Sequence, residues 1–166
     1  MVMLTERTVM VGLGEICVTT DRSSVLACLG LGSCIGLCAY DSRARVAGMA
    51  HIVLPESNRG SMGETSTKYA DIAVPRLLKE MGECGAVKPY ITVKLVGGAQ
   101  MIQNLALESV LHIGKRNLEM TIKILASQGI RLLASDTGGN FGRSVQLSVD
   151  SGKVMVKTVG GEYREL

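Results

Sequence analysis

A chain of 166 residues, 46% hydrophobic and 20% charged, carries enough apolar side chains for a core and too few charges to stay disordered. With four Tyr, one Phe and no Trp the interior is aliphatic. The net charge of +3 is spread over 18 basic and 15 acidic residues without a basic run, which excludes a phosphate-tracking nucleic-acid binder and suits at most an acidic protein partner.

One domain over residues 1–166 is expected. Glu6 precedes the first apolar segment, no secretory h-region follows, and nowhere do eighteen apolar residues run together, so a soluble cytoplasmic protein is expected. Cys17, Cys28, Cys34, Cys38 and Cys84 are odd in number and sit in apolar surroundings, which argues for reduced thiols rather than a disulfide framework.

In chain order, TVMVGLGE, ICVTT and SVLACLGLG read as short strands. IGLCAY and VAGMAHIVL flank the polar turn DSRAR. Residues 55–66 are rich in Ser, Gly and charge and read as an exposed loop leaving the His51 strand; its stretch from Glu56 to Ser66 is expected to border a substrate or partner surface. The spacing of Ala70, Ala73, Val74, Leu77, Leu78 and Met81 predicts a one-faced helix capped by Thr65, Ser66 or Thr67, kinked or delayed by Pro75. YITVKLVGG is a strand, AQMIQNLALES a short helix, and IGKRNLEMTIKILASQG a longer helix ending at Gly129. IRLLASD, RSVQLSV and KVMVKTV are strands, the last two joined by an Asp150-Ser151-Gly152 turn. Antiparallel hairpins mixed with a few helices predict an α+β domain.

Within GLGSCIGLCAYDSRARVAGMAHIVLP, a turn at Asp41 to Ala44 pairs Tyr40 with Arg45 and so places Cys34 directly opposite His51. Gly36, Cys38, Ala47 and Met49 share that face, and the small residues are expected to leave room for a substrate. Imidazole can take a thiol proton, and a thiolate attacks carbonyl carbon. Gly30, Gly32 and Ser33 suit a tight turn whose amides stabilise an oxyanion. The plain alternative is inert packing of a buried Cys. Metal ligation by Cys28, Cys34, Cys38 and His51 is a further alternative, although the spacing matches no C-x-x-C signature. Both GLG pairs miss G-x-G-x-x-G. Cys17 and Cys84 read as structural burial, Met101, Met120 and Met155 as core, and His112 as a polar surface contact or a second site partner.

LGLGSC followed by MAHIVLP resembles the CheD family of chemoreceptor glutamine deamidases. KYADIAV, KLVGGAQM, IGKRN and SDTGGNFGRSV carry the resemblance along nearly the whole chain, in one order. It implies packed mixed β-sheets flanked by helices, an α/β sandwich like that of toxin deamidases, and no cofactor or metal. It implies Cys34 as nucleophile, His51 as base, backbone amides near Gly32 and Ser33 for the oxyanion, and chemoreceptor cytoplasmic helices and a CheC-like phosphatase as partners. The family's threonine that orients the histidine falls at Cys28, whose thiol is a poor acceptor, so Ser33 or a backbone carbonyl would have to replace it. His112 stands where the family commonly has Asn. The second function class is a binding module docking on receptors or the phosphatase without turnover.

Overall fold

The computed structural model describes residues 6–57, 65–102 and 112–166. The first sheet has the order β1 (Arg7–Met10), β3 (Ser24–Leu31), β8 (Arg143–Ser148), β9 (Val154–Thr158) and β10 (Tyr163–Glu165). The second runs β2 (Ile16–Thr19), β5 (Val46–Ile52), β4 (Ile35–Asp41), β6 (Ile91–Gly97) and β7 (Arg131–Thr137). Both are mixed, with β1 parallel to β3 and β6 parallel to β7. Helices α1 (Ala70–Glu83) and α2 (Ile113–Ser127) pack on the second sheet, giving the expected α+β architecture of packed mixed sheets flanked by helices.

Period-two alternation sorts β4 and β5 between two cores. Ile35, Leu37, Ala39, Val46, Ala50 and Ile52 face the helices, in one cluster with Ala73, Leu77 and Met81. Cys38, Ala47 and Met49 face the first sheet, in a cluster with Leu26, Cys28, Leu31, Val145 and Val156.

The β4–β5 hairpin corrects the expected register. Asp41 is not a turn residue but pairs with Val46, and Tyr40 faces Ala47, so His51 lies opposite Gly36 rather than Cys34. The cause is the Asp41 carboxylate, which accepts from the amides of Arg43 (2.8 Å) and Ala44 (3.0 Å) and from Val87 N–H (2.8 Å). Burial raises the Asp41 pKa, but these three bonds outweigh it and hold the carboxyl below its usual value. A slip of two residues preserves the side-chain faces, so Gly36 and Cys38 keep the face of His51, and Cys34, in the bend before β4, packs against the same cluster as Cys38 and Met49.

The small residues of the hairpin serve packing, not substrate. A Cβ on Gly36 would lie 2.8 Å from Leu31 Cδ1, and one on Gly48 2.8 Å from Met81 Sδ.

The N-cap of α1 is Tyr69, without a side-chain cap; Ala70 N–H is held instead by Leu54 C=O at 3.0 Å, and the helix runs on through Pro75. Cys84 is exposed past the end of α1, and Met101 is 53% exposed, so neither is a core residue. The helix expected over AQMIQNLALES lies from residue 103 onward outside the described residues, and so does most of the 56–66 loop; residues 99–102 are irregular.

Candidate functional site

His51 sits near the end of β5, 4% exposed. The turn between β1 and β2 wraps it: its N–H donates to Glu15 C=O (3.0 Å), its carbonyl accepts from Gly14 N–H (2.9 Å), and ring Nδ1 lies 3.1 Å from Val11 C=O. Val11 is itself fixed by donating to Ala27 C=O on β3 at 2.8 Å. A carbonyl only accepts, so Nδ1 carries the proton and Nε2 presents its lone pair. Among the described residues nothing hydrogen-bonds Nε2, although it is buried. A buried polar atom without a partner is costly and marks a place where a ligand or a reacting group completes the set.

The segment Gly32-Ser33-Cys34 connects the two sheets. Before it, β3 bulges: Cys28 pairs with Val145 and Leu31 with Arg143, leaving Leu29 and Gly30 outside the regular ladder, with Gly30 at φ +65. The bulge returns Leu31 to the core and releases the chain toward β4.

Each carbonyl of this segment is taken. Gly32 C=O accepts from Ala99 N–H (2.8 Å), Ser33 C=O from Asn117 Nδ2 (3.0 Å), and Cys34 C=O from Gly98 N–H (2.8 Å). Gly97 must be glycine for this to fit: its φ is +109, and a Cβ there would lie 2.2 Å from Cys34 O. Among the described residues no acceptor pairs with the amides of Gly32, Ser33 or Cys34. A turn pinned through its carbonyls with free amides can receive an anion.

Cys34 is half-buried, and burial pushes its thiol above the usual value, so it rests protonated and needs a base to react. Cys28 is fully buried, and burial above all, with a smaller contribution from neighbouring Cys34, pushes its thiol up to about 12. Cys28 is not the group that the histidine ring Nδ1 contacts; that is Val11 C=O. Cys38 is raised above all by burial. Among the described residues no three His, Cys, Asp or Glu side chains are grouped as metal ligands. Cys17 is half-buried on β2, and His112 is exposed at the N-cap of α2, its carbonyl taking Arg116 N–H at 2.9 Å.

Two residues of the site were not singled out from the sequence. Val11 contributes only its backbone, which leaves no mark in residue type. Asn117 had a signal: it is a polar residue on the stripe of Gly114, Thr121 and Leu125, all buried faces of α2. Outside these, Gly138 N–H donates to Gly97 C=O (2.9 Å) and Gln100 N–H to Gly139 C=O (2.8 Å), so the loop 136–143 braces the loop 97–100. Buried Arg143 locks that brace through Asp136 (3.0 Å) and Gly138 C=O (2.8 Å).

A thiol on a turn pinned through its carbonyls and a buried imidazole held through Nδ1 are the kinds of group a cysteine hydrolase uses. The family model for CheD chemotactic sensory transduction matches residues 53–158. The chain is 42% identical over 157 residues to the probable chemoreceptor glutamine deamidase CheD of Symbiobacterium thermophilum, covering 94% of this chain and 95% of that one. It is 42% identical over 151 residues to the chemoreceptor glutamine deamidase CheD of Thermotoga maritima, with 91% and 92% covered. Against the probable chemoreceptor glutamine deamidase CheD of Pyrococcus abyssi it is 41% identical over 160 residues, with 96% and 97% covered. The chain belongs to the CheD family.

Proposed function

We propose that this chain deamidates glutamine side chains on the cytoplasmic helices of chemoreceptors, with Cys34 as nucleophile and His51 as base. The observation that carries this reading is the His51 ring: Nδ1 held by Val11 C=O, and a buried Nε2 without a hydrogen-bond partner among the described residues, on a strand whose Met49 belongs to the cluster that Cys34 packs against.

In the reaction His51 Nε2 takes the Cys34 proton as sulfur attacks the carboxamide carbon. The free amides of the 32–34 turn receive the oxygen as it gains charge, Gly32 and Ser33 being the residues assigned to it. The imidazolium then returns its proton to the amide nitrogen, the C–N bond breaks, and ammonia leaves a thioester on Cys34. Water, deprotonated by Nε2, adds to the thioester; the C–S bond breaks, the thiol is re-formed and glutamate remains. The sequence balances without a cofactor.

A protein-sized substrate is supported by exposed apolar side chains around the turn. Met101 lies against Gly32, and Leu29 and Val159, 52% and 85% exposed, line a groove of about 300 Å³ with Gly30, Gly142 and Tyr163. No helix among the described residues is long and apolar enough to cross a membrane. We assign the protein to the cytoplasm, with the receptor as substrate and a CheC-like phosphatase as its second partner.

The binding-module reading drew on Cys28 as a poor orienter of the imidazole; Val11 C=O on Nδ1 removes that ground. Incubation with receptor cytoplasmic fragments tests the function through ammonia release. Stoichiometric release is expected; tight binding without ammonia would overturn the enzyme assignment.

A further inference from the structure

Asn117 is fully buried on α2 and spends both N–H groups of its amide on two carbonyls. One belongs to Ser33, at 3.0 Å, the residue before Cys34. The other belongs to Val53, at 2.9 Å, two residues after His51. One side chain thus ties the turn that bears the thiol to the strand that bears the imidazole. Its own Oδ1 has no hydrogen-bond partner among the described residues.

Packing alone does not account for this choice. A leucine of similar volume would fill the stripe of α2 without stranding a buried acceptor, which costs on the order of 1–3 kcal/mol. The helix is also fixed in place: a Cβ on Gly114 would lie 2.5 Å from Ala99 O, so α2 abuts the segment whose amides hold Gly32 and Cys34. Thr121 Oγ1 donates to Asn117 C=O at 2.7 Å and closes the turn of helix beneath it.

We infer that Asn117 is a positioning residue, which sets the separation of Cys34 and His51 by bridging Ser33 and Val53. The inference rests on the Cys34/His51 pair assigned above. Asn117 touches neither substrate nor reacting atom; it acts through the two segments it joins.

The test compares Asn117→Leu, which removes both bonds, with Asn117→Asp, whose protonated form keeps one donor. Deamidation kinetics are read for each. In parallel, iodoacetamide labelling of Cys34 is measured against exposed Cys84 in the same molecule, with His51→Ala as calibration. For Asn117→Leu, kcat is expected to fall about 10²-fold, the scale of an ångström-sized misplacement, with KM nearly constant. Its Cys34-to-Cys84 labelling ratio should fall to that of His51→Ala. Asn117→Asp should lie between, and lose its remaining activity as pH rises and the carboxyl ionises. Wild-type kcat and labelling ratio in folded Asn117→Leu, or in Asn117→Asp if the leucine variant does not fold, would overturn the inference. If His51→Ala itself leaves the ratio unchanged, the pair assignment fails and this inference falls with it; if only the Asn117 variants leave it unchanged, the pair stands and the bridge does not.

Discussion

The two faces of the β4–β5 hairpin belong to the same fourteen or so residues and are built by opposite rules. Toward the helices the side chains are Ile35, Leu37, Ala39, Val46, Ala50 and Ile52, all apolar and buried without polar atoms to satisfy. Toward the first sheet stand Cys38, Ala47, Met49 and His51, against a cluster that includes Cys28 and borders Cys34. The helix face is interchangeable bulk; the sheet face concentrates groups whose placement is individually set, by the Val11 carbonyl, by the bulge in β3 and by Gly97. With the roles proposed for Cys34 and His51, stability and chemistry separate between the two faces, and substitutions on them should report different quantities.

The largest effect on rate belongs to Cys34→Ala, which removes the proposed nucleophile and is expected to lower kcat by about 10³-fold or more with the melting temperature little changed. His51→Ala follows, at about 10²- to 10⁴-fold. Its residual rate should keep rising with pH after the wild type has levelled off, because the burial-raised Cys34 thiol must then ionise unaided. A pH–rate profile for both proteins checks this.

Gly97→Ala probes the turn without touching a reacting group. The added Cβ meets Cys34 O at 2.2 Å in a backbone region that disfavours side chains, so both melting temperature and kcat should drop, kcat by about tenfold. Cys28→Thr should change kcat by less than about twofold, since an orienting group already holds Nδ1; an increase of tenfold would show that Val11 C=O does not perform that role. The smallest effect on rate is expected from Leu77→Ala, an α1 residue in the cluster that the helix face of the hairpin joins. Denaturant unfolding should register a loss of about 2–5 kcal/mol, while kcat of the folded protein stays at the wild-type value.

Much of this division was legible in the residues. Alternation alone assigned Gly36, Cys38 and His51 to one face, and that survived a register error because the slip was even; Cys34, expected on the same face, lies in the bend before β4. The register itself was not legible, since it depends on a carboxylate at Asp41 folding over its own turn and reaching Val87, a contact remote in sequence. The orientation of His51 was equally hidden. The weak acceptor at Cys28 left Ser33 or a backbone carbonyl as the orienting group, and the contact is a carbonyl; that it is Val11 C=O, delivered by the β1–β2 turn, was not legible. Asn117 was visible only as a polar residue on a buried stripe, and its purpose needed the positions of Ser33 and Val53.

The central claim, that the sheet face performs the chemistry while the helix face supplies the core, is tested most directly by peptide mass mapping of receptor cytoplasmic fragments. The fragments are incubated with wild type, Cys34→Ala or Leu77→Ala at a temperature where all three are folded. The account predicts a gain of about one dalton at specific glutamines with wild type and Leu77→Ala, and none with Cys34→Ala. Conversion by Cys34→Ala at the wild-type rate would contradict it.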